Sequence, residues 1–349
     1  MAAEASTSLP TRLASRRPSL IGLLGLALVA LLIVWLVVNF FKEPSTFVEI
    51  LLIGLANGCV YALIALGYTL VYGILELINF AHGDVFMLGS MFAVTFASSF
   101  AIHTGQAALW PILVVIMLLA MICCGVINTT IEFIAYRPLR SAPRLAPLIT
   151  AIGVSFILED IGLTWKGPAP ISFPAVLPQH DAFVIWGVNV GWDKLIVYII
   201  TLPVLLVLLW LVQRTKQGKA MRAVAQDKDA AGIMGINVNR TISFTFLIAG
   251  ALAGAAGLLY ALYFTSIQYT QGFQLGLIAF TAAVLGGIGN LPGAVLGAIL
   301  IGAIQAFNEG LSWHAPGSDW TESIVFSILI LILVFRPAGL LGEQTPEGG

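Results

Sequence analysis

Residues 20–41 read LIGLLGLALVALLIVWLVVNFF, an apolar stretch that carries no charge. As a helix rising 1.5 Å per residue it is about 33 Å long, enough to cross the roughly 30 Å hydrocarbon core of a bilayer. Arg12, Arg16 and Arg17 precede it, as basic residues precede a secretory signal. The run exceeds the usual apolar length of such a signal, about 7 to 15 residues, and no small-residue cleavage site follows it. It is expected to be an uncleaved first spanning helix behind a cytoplasmic leader, residues 1–19. Ser15-Arg16-Arg17-Pro18 has a weak likeness to a twin-arginine signal, which positive flanking charge explains equally well.

Comparable segments recur at 47–73, 85–102, 109–134, 145–165, 195–212 and 242–264. Residues 275–288 and 294–306 are shorter and Gly-rich, and 324–341 completes the series. The sequence therefore predicts an all-α, polytopic transmembrane bundle with broken or re-entrant segments. Ten spans result if both short pieces cross, and eight if they pair as a re-entrant element. Residues 20–341 form one membrane domain in this reading, interrupted by a cytoplasmic loop at 213–240 and followed by a cytoplasmic tail at 342–349.

The composition agrees: 59% of the 349 residues are apolar and 9% charged, against about 25% charged in an average soluble domain. A net charge of -1 leaves no basic excess to hold a nucleic-acid backbone. Cys59, Cys123 and Cys124 lie in apolar runs without metal-ligand spacing, which argues against a disulfide framework and a zinc site. Thirteen of the 16 Lys and Arg fall on one side if the N-terminus is inside, leaving Lys42, Lys166 and Lys194 outside. The positive-inside rule therefore places both termini in the cytoplasm. The outer stretch 166–193, with Pro168, Pro170, Pro174, Pro178, Phe173, Phe183, Trp186 and Trp192, reads either as an ordered cap or as a passive connector.

Helices in lipid associate through close packing of small residues. Gly54 and Gly58, Gly250 and Gly254, Gly293 and Gly297, and Ala253 with Gly257 supply such pairs. Polar groups at membrane depth are costly and usually face a partner or a wet cavity. Glu132 is expected to pair with Arg137, one turn away, and Glu159 and Asp160 to approach an outer vestibule. The stretch LELINFAHGD, 75–84, interrupts two apolar segments, so Glu76, Asn79, His82, Gly83 and Asp84 are candidates for a translocation pathway. A plain cytoplasmic turn explains the same residues. A second interruption, LGGIGNLPG at 285–293, adds Gly289 and Asn290 to the candidates; one interruption in each half suits a transporter. His82 is a poor metal ligand, because His103, His180 and His314 lie in separate regions.

The loop QRTKQGKAMRAVAQDKDAAGIMGINVNR, 213–240, is too charged to cross a bilayer. Nothing breaks a helix from Lys219 to Ala231, and Gly232 and Gly235 are natural stops. Met221, Val224, Ala225 and Lys228 share helical spacing, which predicts one short amphipathic helix. It suits either a docking element or a helix lying on anionic lipid.

Five stretches carry a resemblance: GYTLVYGILELINFAHGDVFMLG (67–89), IEFIAYRPLR (131–140), LITAIGVS (148–155), GKAMRAVAQDKDAAGIMGIN (218–237) and FTAAVLGGIGNLPGAVLGA (280–298). In this order they resemble the LivH-like permease subunits of branched-chain amino acid ABC transporters. The resemblance runs from Phe47 to the C-terminus; the first helix and its leader are longer than the family leads one to expect. It implies a bacterial inner-membrane complex with a second, LivM-like permease subunit, two cytosolic ABC ATPases and a periplasmic substrate-binding protein. It also implies that 218–237 is the ATPase-coupling loop, with Gly218, Arg222, Ala225, Asp227, Gly232 and Gly235 at matching positions, and that Asn79 to Asp84 lies near the pathway. Members also carry urea, short amides and other small solutes.

The chain has no GxxxxGK[ST] phosphate loop, HExxH or GxSxG turn, so neither nucleotide nor other cofactor binding nor enzymatic activity is expected of it. The competing reading is a secondary transporter driven by a proton or sodium gradient, motivated by Glu76, Asp84 and Glu159.

Overall fold

From Pro44 to Leu75 the chain is apolar and free of internal proline, and it forms one helix of 32 residues, about 48 Å at 1.5 Å per residue. This helix, α2, is the axis of the molecule. The computed structural model describes residues 20–342 apart from 101–108, 141, 144, 179, 186 and 337, with side chains from residue 30 onward. The leader with Arg12, Arg16 and Arg17, as well as His103, Arg144, Trp186 and the tail beyond Gly342, therefore lie outside the described residues.

Preceding α2 is α1, Leu20–Lys42; following it are α3, Ala81–Ser99, α4, Leu109–Ile131, α5, Leu145–Lys166, and α6, Trp192–Arg214. Two short helices come next, α7, Lys216–Gln226, and α8, Lys228–Ile233. The second half contains α9, Val238–Phe264, α10, Gln271–Gly286, α11, Leu291–Gly310, and α12, Thr321–Phe335. Among the described residues, seven helical segments are long and apolar enough to cross a membrane. These are α2, α4 with its continuation to Leu139, α5, α6, α9, α11 and Ser318–Phe335. Each of the ten apolar segments of the sequence falls mainly within one of the helices α1 to α12, so the all-α membrane bundle is correct.

The structure bears on three expectations. Of the two Gly-rich pieces, α11 runs 20 residues along α2 and also doubles back on α10, its Gly293 and Gly297 lying on the Gly286 and Ala282 carbonyls, while α10 has 16 residues. The single loop helix is two helices, broken at Asp227, whose carboxylate caps α8 by accepting from the Asp229 and Ala230 amides, both at 2.9 Å. Lys228 consequently starts α8 in the open and does not share the buried face of Met221 and Val224. The 166–193 stretch is an ordered cap that contains strand structure: β2, Asp181–Ile185, pairs antiparallel with β3, Val188–Gly191. Its β1, Ile171–Ser172, pairs with β4, Ser266–Ile267, just after α9.

The glycine pairs act in packing. A Cβ on Gly58 would stand 2.7 Å from the Ile299 Cα, and one on Gly54 2.8 Å from the Ala303 Cα, so α2 and α11 touch backbone to backbone. Gly254 and Gly257 let α9 approach Ala120 of α4 and Gly89 of α3 in the same way. The inner helices α2, α3, α9, α10 and α11 are thereby buried. The outer faces of α4, with Val114, Leu118 and Ile122, and of α6, with Leu202, Val207 and Trp210, are exposed and apolar, as suits lipid contact.

Candidate functional site

Helix α2 ends at Glu76, which takes the left-handed conformation (φ 56) and returns its amide to the Tyr72 carbonyl at 2.7 Å. Five residues later α3 begins, so 76–80 is a turn between helices and not a break inside one. Glu76 is exposed. Asn79 is buried, its Oδ1 accepting from the Tyr136 hydroxyl at 2.6 Å while its Nδ2 has no partner. His82 is fully buried edge-on to Tyr68, ring centroids 4.8 Å apart, and lies over Gly67, where no Cβ would fit.

Gly83 and Asp84 form the crossing of α3 with α10. A Cβ on Gly83 would stand 2.9 Å from the Gly276 Cα, and one on Gly272 2.5 Å from Asp84 Oδ1. Asp84 is fully buried and accepts from the Ser155 hydroxyl of α5. Its other oxygen lies against the first turn of α10, where the helix dipole favours negative charge. Gln271, also in that turn, donates to the Ser90 hydroxyl at 2.7 Å. Of the predicted pathway residues, His82, Gly83 and Asp84 are therefore in the packed core, joining α2, α3, α5 and α10.

The two interruptions come together. Asn79, Leu77 and Ile78 line one cleft with Tyr68, Tyr72, Phe280, Ala283 and Ile288, so the turn 76–80 meets the turn 287–290. Gly289 (φ 92) is exposed, with nothing within 4 Å of the Cβ it lacks, in a conformation that a side chain would strain. Asn290 caps α11 by accepting from the Gly293 amide at 2.9 Å and donates to the Leu341 carbonyl at 2.7 Å. Leu340 and Leu341 donate in turn to the carbonyls of Leu285 and Gly286, which satisfies the end of α10. The C-terminal segment is thus a strap over the α10–α11 turn.

Beside the first turn lies a cluster that sequence reasoning caught only in part. Helix α4 continues through a π-helical turn, Glu132–Tyr136. Glu132 is fully buried there, paired with Arg137 at 3.2 Å as expected, but also with Arg140 and with the Ser243 hydroxyl, which donates at 2.7 Å. Burial pulls the Arg140 guanidinium below its ordinary pKa, and the charge of Glu132 opposes this. The signal in the sequence was a lone carboxylate five and eight residues before two arginines; Ser243 is over a hundred residues away.

In the 213–240 loop, Gly218 lies against the Leu211 and Val212 carbonyls at the end of α6, with its amide on the Thr215 hydroxyl at 3.0 Å. Arg222 donates to the carbonyls of Val212 and Gln213 at 3.1 and 3.3 Å, closing the same helix end. Gly232 lies within α8 and Gly235 (φ 83) ends it, the Ile236 amide reaching the Ala231 carbonyl at 3.0 Å. Of the predicted stops, Gly235 alone is one. Ala225 is half-buried; Ile233 and Met234 are 87% and 81% exposed.

The chain matches, over residues 50–334, the family described as branched-chain amino acid transport system / permease component. It belongs to that family. The high-affinity branched-chain amino acid transport system permease protein BraD of Pseudomonas aeruginosa is 39% identical over 313 residues, 87% of this chain and 99% of that protein. The corresponding LivH of Escherichia coli K12 is 35% identical over 302 residues, 84% and 95% of the two chains. Among solved structures, PsaBC from Streptococcus pneumoniae in complex with Fab aligns with a TM-score of 0.46 and 14% identity, covering 88% of this chain and 97% of that one.

Proposed function

We propose that this chain is the membrane-spanning permease subunit of an ABC importer in the bacterial inner membrane. It moves branched-chain amino acids or a related small polar solute, driven by ATP hydrolysis on separate subunits. The family match across nearly the whole membrane domain carries the reading. In it, the chain binds no cofactor and performs no covalent chemistry. Its partners are a second, LivM-like permease subunit, two cytosolic ABC ATPases and a periplasmic substrate-binding protein, within membrane lipid and without nucleic acid. The termini lie in the cytoplasm.

The geometry supports a contact with a motor at α7 and α8. Ile233 and Met234 project from a charged loop into the open, where apolar side chains gain by burial in a partner. The loop is stiffly attached: Arg222 and Gly218 fix α7 to the end of α6, and Asn237 caps α9 on the Arg240 amide at 3.0 Å. A push on α8 therefore reaches α6 and α9 together. From α9 it reaches Glu132 through Ser243, and the turn at Asn79 through Tyr136.

The family match favours ATP over an ion gradient, and of the carboxylates that suggested the gradient Glu76 lies exposed in a turn and Asp84 in a packed crossing. Reconstitution of the whole complex in proteoliposomes, with ATP inside and labelled leucine outside, tests the proposal. ATP-dependent uptake is expected; uptake by this chain alone, unchanged on ATP removal, refutes it.

A further inference from the structure

Helix α5 has two faces of opposite character. Pro147, Ala151, Ser155, Leu158 and Gly162 are buried, Ser155 on Asp84 and Gly162 on Met87 and Met91. The other face exposes Ile149, Gly153, Ile157, Asp160 and Thr164 at helical spacing. The exposed faces of α4 and α6 carry no charge between their first and last turns, whereas this one carries a carboxylate six residues, about 9 Å, inside the helix end at Lys166.

Asp160 has no ion-pair or hydrogen-bond partner among the described residues. A lipid-facing carboxylate costs on the order of 2.5 kcal/mol at the bilayer centre and a part of that nearer the helix end, and Asp is too short to snorkel as Lys and Arg do. Gly153 supports the same conclusion independently. Nothing lies within 4 Å of the Cβ it lacks, so no packing inside this chain compensates for a helix-interior glycine, which costs roughly 1 kcal/mol relative to Ala. A lipid-facing surface calls for neither residue.

We propose that this face of α5 lines a water-filled solute pathway, and that Asp160 receives the ammonium group of the passing solute. A shallow concavity between Ile157, Asp160, Ile161, Thr164 and Trp165 provides the seat: one charge, one hydroxyl and apolar walls. That chemistry matches a zwitterion with an aliphatic side chain. The proposal rests on the solute-import reading and names a substrate-contacting residue for it.

The test uses the complete complex in proteoliposomes. Asp160→Asn is expected to slow leucine uptake about tenfold or more, as for the loss of a contact between opposite charges, and Asp160→Glu to restore most of it. Asp160→Cys, on a background lacking Cys59, Cys123 and Cys124, is expected to react with a membrane-impermeant thiol reagent and to be shielded by leucine. Val114→Cys, on the lipid-facing side of α4, is expected to stay unreactive.

Uptake by Asp160→Asn equal to wild type overturns the proposal, as does Asp160→Cys being no more reactive than Val114→Cys. If Asp160→Asn does not assemble, the cysteine accessibility decides. A wild-type complex that imports no leucine counts against the import reading, while accessibility at residue 160 still reports on the pathway.

Discussion

Glu132→Gln removes the negative charge between Arg137 and Arg140 and keeps the size of the side chain. In the folded protein the carboxylate is fully buried and holds two guanidiniums and the Ser243 hydroxyl. Each charge-assisted contact contributes roughly 1.5 to 3 kcal/mol when well shielded. The guanidiniums are 31% and 20% exposed, so water recovers part of that in the variant. The amide oxygen still accepts from Ser243. A net loss of about 2 to 3 kcal/mol remains, which corresponds to a fall in melting midpoint of roughly 3 to 4 °C for a chain of this size. Thermal unfolding of the purified protein in nanodiscs, followed by tryptophan fluorescence, measures it, with the exposed Glu49→Gln as a control. Arg140→Gln should cost less in the Glu132→Gln background than alone, because the partner is already gone. A Glu132→Gln midpoint within about 1 °C of wild type would refute the network, since even one lost charged contact exceeds that shift.

Gly58→Val drives a Cβ to 2.7 Å from the Ile299 Cα, so α2 and α11 must separate; monodisperse protein recovered from membranes should fall several-fold, whereas Gly153→Ala, in open space, leaves the yield unchanged. Gly235→Val forces a β-branched residue to φ 83 with no clash around it, a strain of about 1 to 2 kcal/mol confined to the end of α8. Insertion should be normal while uptake is lost, and ATPase stimulation that stays normal argues against a coupling role. Asn290→Ala removes the α11 cap, worth about 1 kcal/mol, and the bond to Leu341; limited proteolysis should then cut the C-terminal strap sooner than in wild type.

Much of the bundle was legible because lipid enforces a simple rule. Backbone polar groups must be satisfied within the segment, so a charge-free run such as 20–41 has one outcome. The pairs Gly54 with Gly58 and Gly250 with Gly254 announced close packing for a similar reason. The site was less legible. LELINFAHGD pointed to an interruption, and the interruption is there, but its His82 and Asp84 are buried inward, against Tyr68 and Ser155, which no pattern along one chain reveals. Arg222 looked like a coupling residue and is also a lid on the carbonyls of α6.

The break at Asp227 was missed because helix propensity favours Lys219 to Ala231 throughout. An N-cap aspartate wins locally by bonding two amides that α8 would otherwise leave open.

By itself, then, the sequence determined the class of the molecule, its helices and the family it belongs to, since these depend on local hydrophobicity and on motifs contiguous in the chain. The tertiary structure alone decided which polar residues are consumed by packing and which remain open. Asp84 and Asp160 are both carboxylates in apolar surroundings, and only the positions of Ser155, Gly272 and the empty side of α5 tell them apart. Burial and partnership are set by helices distant in sequence that meet in space.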